Sequence, residues 1–171
     1  MANEGELFTL LRFPREGDER RISHLRQVLR EHYISYETLL EDARPMTTTP
    51  TILAHRILLA DAFFFHARIE ESENVQRKLY QRSIEVYSDL LDHAKRSLPS
   101  TDDSLLSIIE KISQLLRESR VQNSGLVLEL ITLLDRAEAD MSSRPDLEKQ
   151  RKIRRIRENI DALGSYYYLY F

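Results

Sequence analysis

Apolar positions along the chain recur at helical rather than strand spacing. Ile22, Leu25, Leu29, Tyr33, Tyr36 and Leu40 step by three and four, one face of a helix over roughly 18–42. Asp18 stands where its N-cap belongs, and Arg44-Pro45 closes it, because the residue before proline is pushed out of the helical region. Thr47-Thr48-Thr49 then offers caps, and Pro50 suits a first helical position. From there Ile52, Leu53, Ile57, Leu58, Leu59, Phe63, Phe64, Phe65 and Ile69 fall nearly all round the helical wheel. Residues 50–69 are therefore predicted to be buried on most sides, with the other helices packed about them.

Glu70-Glu71-Ser72-Glu73-Asn74 is polar but holds neither glycine nor proline. A turn is expected there, since the alternative, one helix from 50 to 97, exceeds the usual length in a compact domain. Val75, Leu79, Val86, Leu90 and Ala94 form the next stripe, and Leu98-Pro99 closes it. Ser100 with Asp103 resembles a capping box ahead of Leu105, Ile108, Ile109, Ile112, Leu115 and Leu116, a helix to about 119. Asn123-Ser124 caps a helix over 124–141, Ser142-Ser143-Arg144-Pro145 opens the last, and Gly164 is placed to end it. Ahead of all these, Leu7, Phe8, Leu10, Leu11 and Phe13 form a cluster too short for a stable isolated helix. It reads as an arm on the bundle's own surface or as a docking peptide for a partner.

The expected fold class is thus all-α: an irregular antiparallel bundle of five or six helices around a buried central helix at about 50–70. Residues 1–17 are assigned to an arm, 18–164 to the bundle and 165–171 to an aromatic tail. The candidate helix pairs start near 50 and near 101 and do not repeat in sequence, which argues against a solenoid.

Composition narrows the function classes. With 171 residues, 42 % hydrophobic and 31 % charged, the chain is long enough for one domain with a substantial core. Arg56, Asp61 and Arg68 interrupt the most apolar segment, so no membrane insertion is expected. The acidic start lacks the apolar run of a secretory signal, and a cytoplasmic or nuclear, non-secreted protein is expected. The absence of cysteine removes disulfides, Cys-ligated zinc and a thiol nucleophile.

Candidate chemistry lies mainly at the C-terminal end. Ile153, Ile156, Ile160 and Leu163 step by three, four and three, the narrow seam of a coiled-coil-like contact. Around them Arg144, Lys149, Arg151, Lys152, Arg154, Arg155 and Arg157 stand against Asp146, Glu148 and Glu158, a local net of +4. Lys149, Arg151, Lys152, Arg154, Arg155 and Arg157 form a candidate nucleic-acid face, because clustered cations bind phosphates and release counterions. The plainer reading is a solvated helix paired with acids elsewhere, since the rest of the chain carries a net of −7. Tyr166, Tyr167, Tyr168, Tyr170 and Phe171 crowd five aromatics into the last six residues, and such an end has to dock, on its own bundle or on a partner.

No catalytic constellation emerges. No histidine has Glu three residues before it, so the bridged di-metal motif of helical bundles is absent, as are HExxH, a Gly-x-Ser-x-Gly elbow and a Gly-rich phosphate loop. His55 and His66 read as core or boundary residues bonded to neighbours. Arg26 and His32 match the loose Arg–His spacing of helical RNases of the HEPN type, a pattern that also arises by chance in Arg-rich helices. No metal or cofactor is expected. The leading expectation is a non-catalytic protein–protein interaction module: adaptor, scaffold or subunit of a larger assembly. It would bind a protein partner or a second copy through Ile153, Ile156, Ile160, Leu163 and the tail. A nucleic-acid accessory protein is the alternative, and a metal-free helical RNase a remote one.

Overall fold

The structure, a computed structural model, describes residues 2–15, 17–43, 49–142 and 146–167, with the backbone alone at Ala2, Thr49 and 164–167. Among the described residues it is all-helical: α1 (Ala2–Arg12), α2 (Glu19–Glu41), α3 (Thr49–Ile69), α4 (Glu73–Ser97), α5 (Asp103–Ser119), α6 (Ser124–Met141) and α7 (Leu147–Tyr167). None of these helices is long and apolar enough to cross a membrane. The helix count exceeds expectation because the N-terminal cluster folds as α1, stabilised by its neighbours rather than by its own length. Contacts divide the chain into two compact units, residues 1–83 and 84–171, and the division falls inside α4.

In the first unit α1 packs on α2 and α2 on α3. Leu7, Leu25, Leu29, Tyr33 and Ile69 form a buried cluster, with Phe8, Leu10, Ile22 and Phe65 packed against it. The start of α4 is tied to α3 by polar and aromatic contacts. Ser83 Oγ donates to the Ala60 carbonyl at 2.8 Å, and Gln76 Nε2 to that of Ala67 at 3.0 Å. The Arg82 guanidinium lies 4.2 Å from the Phe63 ring centre. Burial along α3 is uneven. Leu59, Ala60, Ala62, Phe63, Phe64, Ala67 and Ile69 are buried, whereas Leu58 is 47 % exposed and residues 50–57 are half-buried or exposed. The all-round apolar pattern therefore describes only the second half of this helix.

In the second unit α5 and α6 both pack on α7, and α5 also touches α6. α5 supplies Leu105, Leu106, Ile108, Ile109, Ile112, Leu115 and Leu116, none more than 1 % exposed. Each fully buried large aliphatic side chain contributes about 1.5–3 kcal/mol, so this face is a major stabilising feature of the unit.

Side-chain oxygens open α5, α6 and α7. α3 ends and α4 begins at Glu70–Ser72, as expected, so 50–97 is two helices. The N-cap of α5 is Asp102, whose carboxylate accepts from Ser104 N at 2.8 Å, while Ser100 Oγ instead donates to Asp140. Asn123 caps α6 as the sequence suggests, accepting from Leu126 N at 3.0 Å. Asp146 accepts from Glu148 N and Lys149 N at 3.0 and 3.1 Å and so opens α7. Asp18 stands at the N-cap of α2, but its carboxylate turns back to accept from Arg15 N at 2.9 Å. Gly164 does not end α7, which continues to Tyr167. One interior glycine costs about 1 kcal/mol relative to alanine, and the burial of Ile160 and Leu163 just before it outweighs that. The proposed caps at Thr47 and Thr48 and the opening at Ser143-Arg144-Pro145 lie outside the described residues.

Candidate functional site

Two polar clusters form inside the units. In the first unit the α2 face that buries Leu25, Leu29 and Tyr33 also carries Glu37, which meets His66 of α3. His66 Nδ1 lies 2.8 Å from Glu37 Oε1, and the two residues are 5 % and 8 % exposed. The Tyr33 ring stacks on the imidazole at 6.0 Å and 15°, and its hydroxyl donates to Glu4 of α1. His66 Nε2 is buried without a hydrogen-bond partner among the described residues. The pair fixes the imidazole and offers no open face to a substrate. His55 Nε2 bonds the Leu40 carbonyl at 2.8 Å and so closes the end of α2. Both histidines are bonded to neighbours, as their place on an apolar helix implies.

Glu70 is the joint of this unit. Its carboxylate accepts from Glu71 N at 2.9 Å and Ser72 N at 3.2 Å, and Arg30 of α2 donates to both of its oxygens at 3.1 and 3.2 Å. Burial pushes the carboxyl up, but the Ser72 and Glu71 amides and the Arg30 charge outweigh it. The net result lies below the ordinary value of 4.5. Arg26 pairs with Glu71 beside it.

In the second unit the seam between α5 and α7 is polar at Asn159 and Ser113, 6 % and 0 % exposed, amid apolar side chains. The Asn159 amide donates to Ser113 Oγ at 3.2 Å and accepts from Arg117 Nη1 at 2.6 Å. A groove of about 530 Å³ opens beside it, lined among others by Glu110, Lys111, Arg117, Arg155, Glu158 and Asn159. Charges of both signs face it, so its field favours neither an anion nor a cation. On α4, Lys95 bonds Asp92 and Glu129; Asp92 first and then Glu129 hold the ammonium above its ordinary value, and Lys95 holds Asp92 below its own.

The residues singled out from sequence separate into three sets. Ile153, Ile156, Ile160 and Leu163 are buried, between 0 and 5 % exposed, and form α7's share of the core. Four of the six candidate nucleic-acid cations are occupied internally. Lys149 donates to the Thr101 carbonyl at 2.9 Å, and Lys152 to Ser107 Oγ at 2.6 Å. Arg155 pairs with Glu110 at 2.5 Å. Arg157 bridges Asp135 and Glu138 of α6 at 2.5 and 2.8 Å; Glu138 first, then Asp135, hold its guanidinium well above its ordinary value. Arg151 and Arg154 are exposed and make no ion pair among the described residues. Tyr166 and Tyr167 continue the α7 backbone, and Tyr168, Tyr170 and Phe171 lie outside the described residues. Arg26 and His32 share α2 but project about 120° apart at 100° per residue; Arg26 is engaged by Glu71 and His32 stacks on Tyr36 at 6.3 Å. Among the described residues, no group of three or more His, Asp or Glu side chains is gathered to hold a metal ion.

Sequence reasoning missed a second stripe on α2. Val28, His32, Tyr36 and Leu39 recur at four, four and three, beside the buried stripe. Val28 is 37 % and Leu39 67 % exposed, with the stacked His32–Tyr36 pair between them. The spacing is readable, but Tyr36 had been assigned to the core face and so concealed it. In comparison with known proteins, no family model matches this chain and no curated protein resembles it in sequence.

Proposed function

We propose that the chain is a non-catalytic helical interaction module, an adaptor, scaffold or subunit that binds a protein partner or a second copy. The observation that carries this reading is the outward stripe Val28–His32–Tyr36–Leu39, an amphipathic face on a helix whose other face is already buried. The aromatic residues Tyr166–Phe171 are assigned to the same role as a second contact. Light scattering across concentration tests it, with Leu39→Glu and a chain truncated after Tyr167 as controls. Association in the wild type that either variant loses, with the thermal melt unchanged, is the expected result. A monomer at every concentration, with no protein enriched over the Leu39→Glu control in native co-purification, overturns it.

The nucleic-acid reading is carried by Arg151 and Arg154, the two exposed cations of α7 that make no internal ion pair among the described residues. Two phosphate contacts give a shallow salt dependence, a slope of about −2 in log affinity against log salt. Binding that is steeper, or that survives Arg151→Glu with Arg154→Glu, excludes this face as its origin.

A further inference from the structure

α1 is short for an element that covers a core. It has 11 residues, too few for an isolated helix to persist in water. Gly5 is its fourth residue, and glycine inside a helix lowers the helix-forming equilibrium about fivefold relative to alanine. A Cβ at Gly5 would meet nothing within 4 Å, and its φ is not positive, so neither space nor backbone conformation requires glycine. Leu7 is the one fully buried side chain described on α1; Phe8 and Leu10 are half-buried. Between α1 and α2, Gly17 adopts φ +93°.

The surface beneath α1 is specific. Leu25, Leu29 and Ile69 form an apolar floor for Leu7. At the rim, Tyr33 donates to Glu4, and Arg21 donates to Glu6 at 2.6 and 2.7 Å through two guanidinium nitrogens. The Arg68 guanidinium covers the Phe8 ring at 4.5 Å. The floor therefore accepts leucine and an aromatic ring, and the rim accepts carboxylates three positions and one position before that leucine.

We propose that this seat is a docking site for an acidic–hydrophobic helix of a partner protein, and that α1 is an internal stand-in that such a helix displaces. The proposal rests on the interaction-module reading and assigns it a second surface. The charge of the rim selects the occupant: Arg21 pairs with a carboxylate, Arg68 covers an aromatic ring, and the two guanidinium charges disfavour a basic amphipathic helix. A tethered α1 competes at high effective concentration, so each change in α1's own docking appears inversely in the partner's affinity.

A labelled synthetic peptide of residues 2–12 is the probe, titrated by fluorescence anisotropy against the full chain and its variants. Chains carrying Leu7→Ala are expected to bind it at least about tenfold more tightly than wild type. Chains carrying Gly5→Ala are expected to bind it about fivefold more weakly. Arg21→Glu in the chain should reject this peptide and accept one carrying Glu6→Arg. Excess peptide should also speed hydrogen exchange at the chain's own residues 2–12. Equal affinities across wild type, Leu7→Ala and Gly5→Ala overturn the proposal, as does no change in α1 exchange. If Leu7→Ala loses its cooperative melt, Gly5→Ala and the exchange measurement decide. A wild-type dimer dissolved by excess peptide would seat the α1 of a second copy and overturn the partner assignment. These readouts are independent of Leu39 and the tail, so failure here and failure of the module reading are told apart.

Discussion

Arg120 ends α5 with φ 53° and ψ 22°, the only non-glycine residue at positive φ among the described residues. That conformation costs an ordinary L-residue about 1–2 kcal/mol, and glycine adopts it freely. Arg120→Gly is expected to raise stability by about 0.5–1 kcal/mol after glycine's extra unfolded-state entropy, read from the denaturation midpoint in urea. Glu70 acts in the opposite sense. Its half-buried carboxylate holds two amides and Arg30, so Glu70→Ala is expected to cost about 1–2 kcal/mol near neutral pH. Because its folded pKa lies below the ordinary 4.5, that contribution is complete above 4.5. It is lost as pH falls through the lowered folded value. The stability gap between wild type and Glu70→Ala should therefore narrow in acid, and a gap that widens there would contradict this account.

At the scale of elements, α1 and α5 differ in what a cavity costs. Ile109→Ala in α5 removes a fully buried side chain from a helix packed on both α6 and α7, and should cost about 2–5 kcal/mol of global stability. Leu7→Ala should cost the whole molecule less, because α1 can leave its seat before the rest unfolds. Hydrogen exchange checks the contrast: residues 2–12 should exchange fast in Leu7→Ala while α3 stays protected. The same elements mark what the sequence made legible. α6 was read to the residue and α5 to its end, because each combines an apolar 3–4 stripe with a polar cap, whereas the cap of α5 lies two residues past the expected Ser100, at Asp102. α1 was not read as a helix, because its stability comes from Leu25, Leu29 and Ile69, residues far along the chain. The seam Ile153, Ile156, Ile160 and Leu163 had the right periodicity but an ambiguous destination, since core and interface leave the same pattern. The cations of α7 look free in their own helix. Their partners Glu110, Asp135 and Glu138 lie on α5 and α6, at separations no local pattern reveals.

At the scale of the whole molecule, the two units are built from different kinds of neighbour. Residues 1–83 join consecutive helices, α1 to α2 and α2 to α3. Residues 84–171 rely most on α5 against α7, with pairs such as Asn159–Ser113 and Lys149–Thr101 set 46 and 48 positions apart. Loop closure slows contacts between distant positions. Pulse-labelled exchange during refolding should find amides of α2 and α3 protected before those of α5 and α7; the reverse order would remove this account. The α5–α7 pairing has a further consequence while the chain is still being made. At synthesis rates of about 5–20 residues per second, the seven aliphatic side chains of α5 wait about 2–10 s for the residues of α7 that will cover them. During that interval the nascent chain carries the surface that chaperones bind.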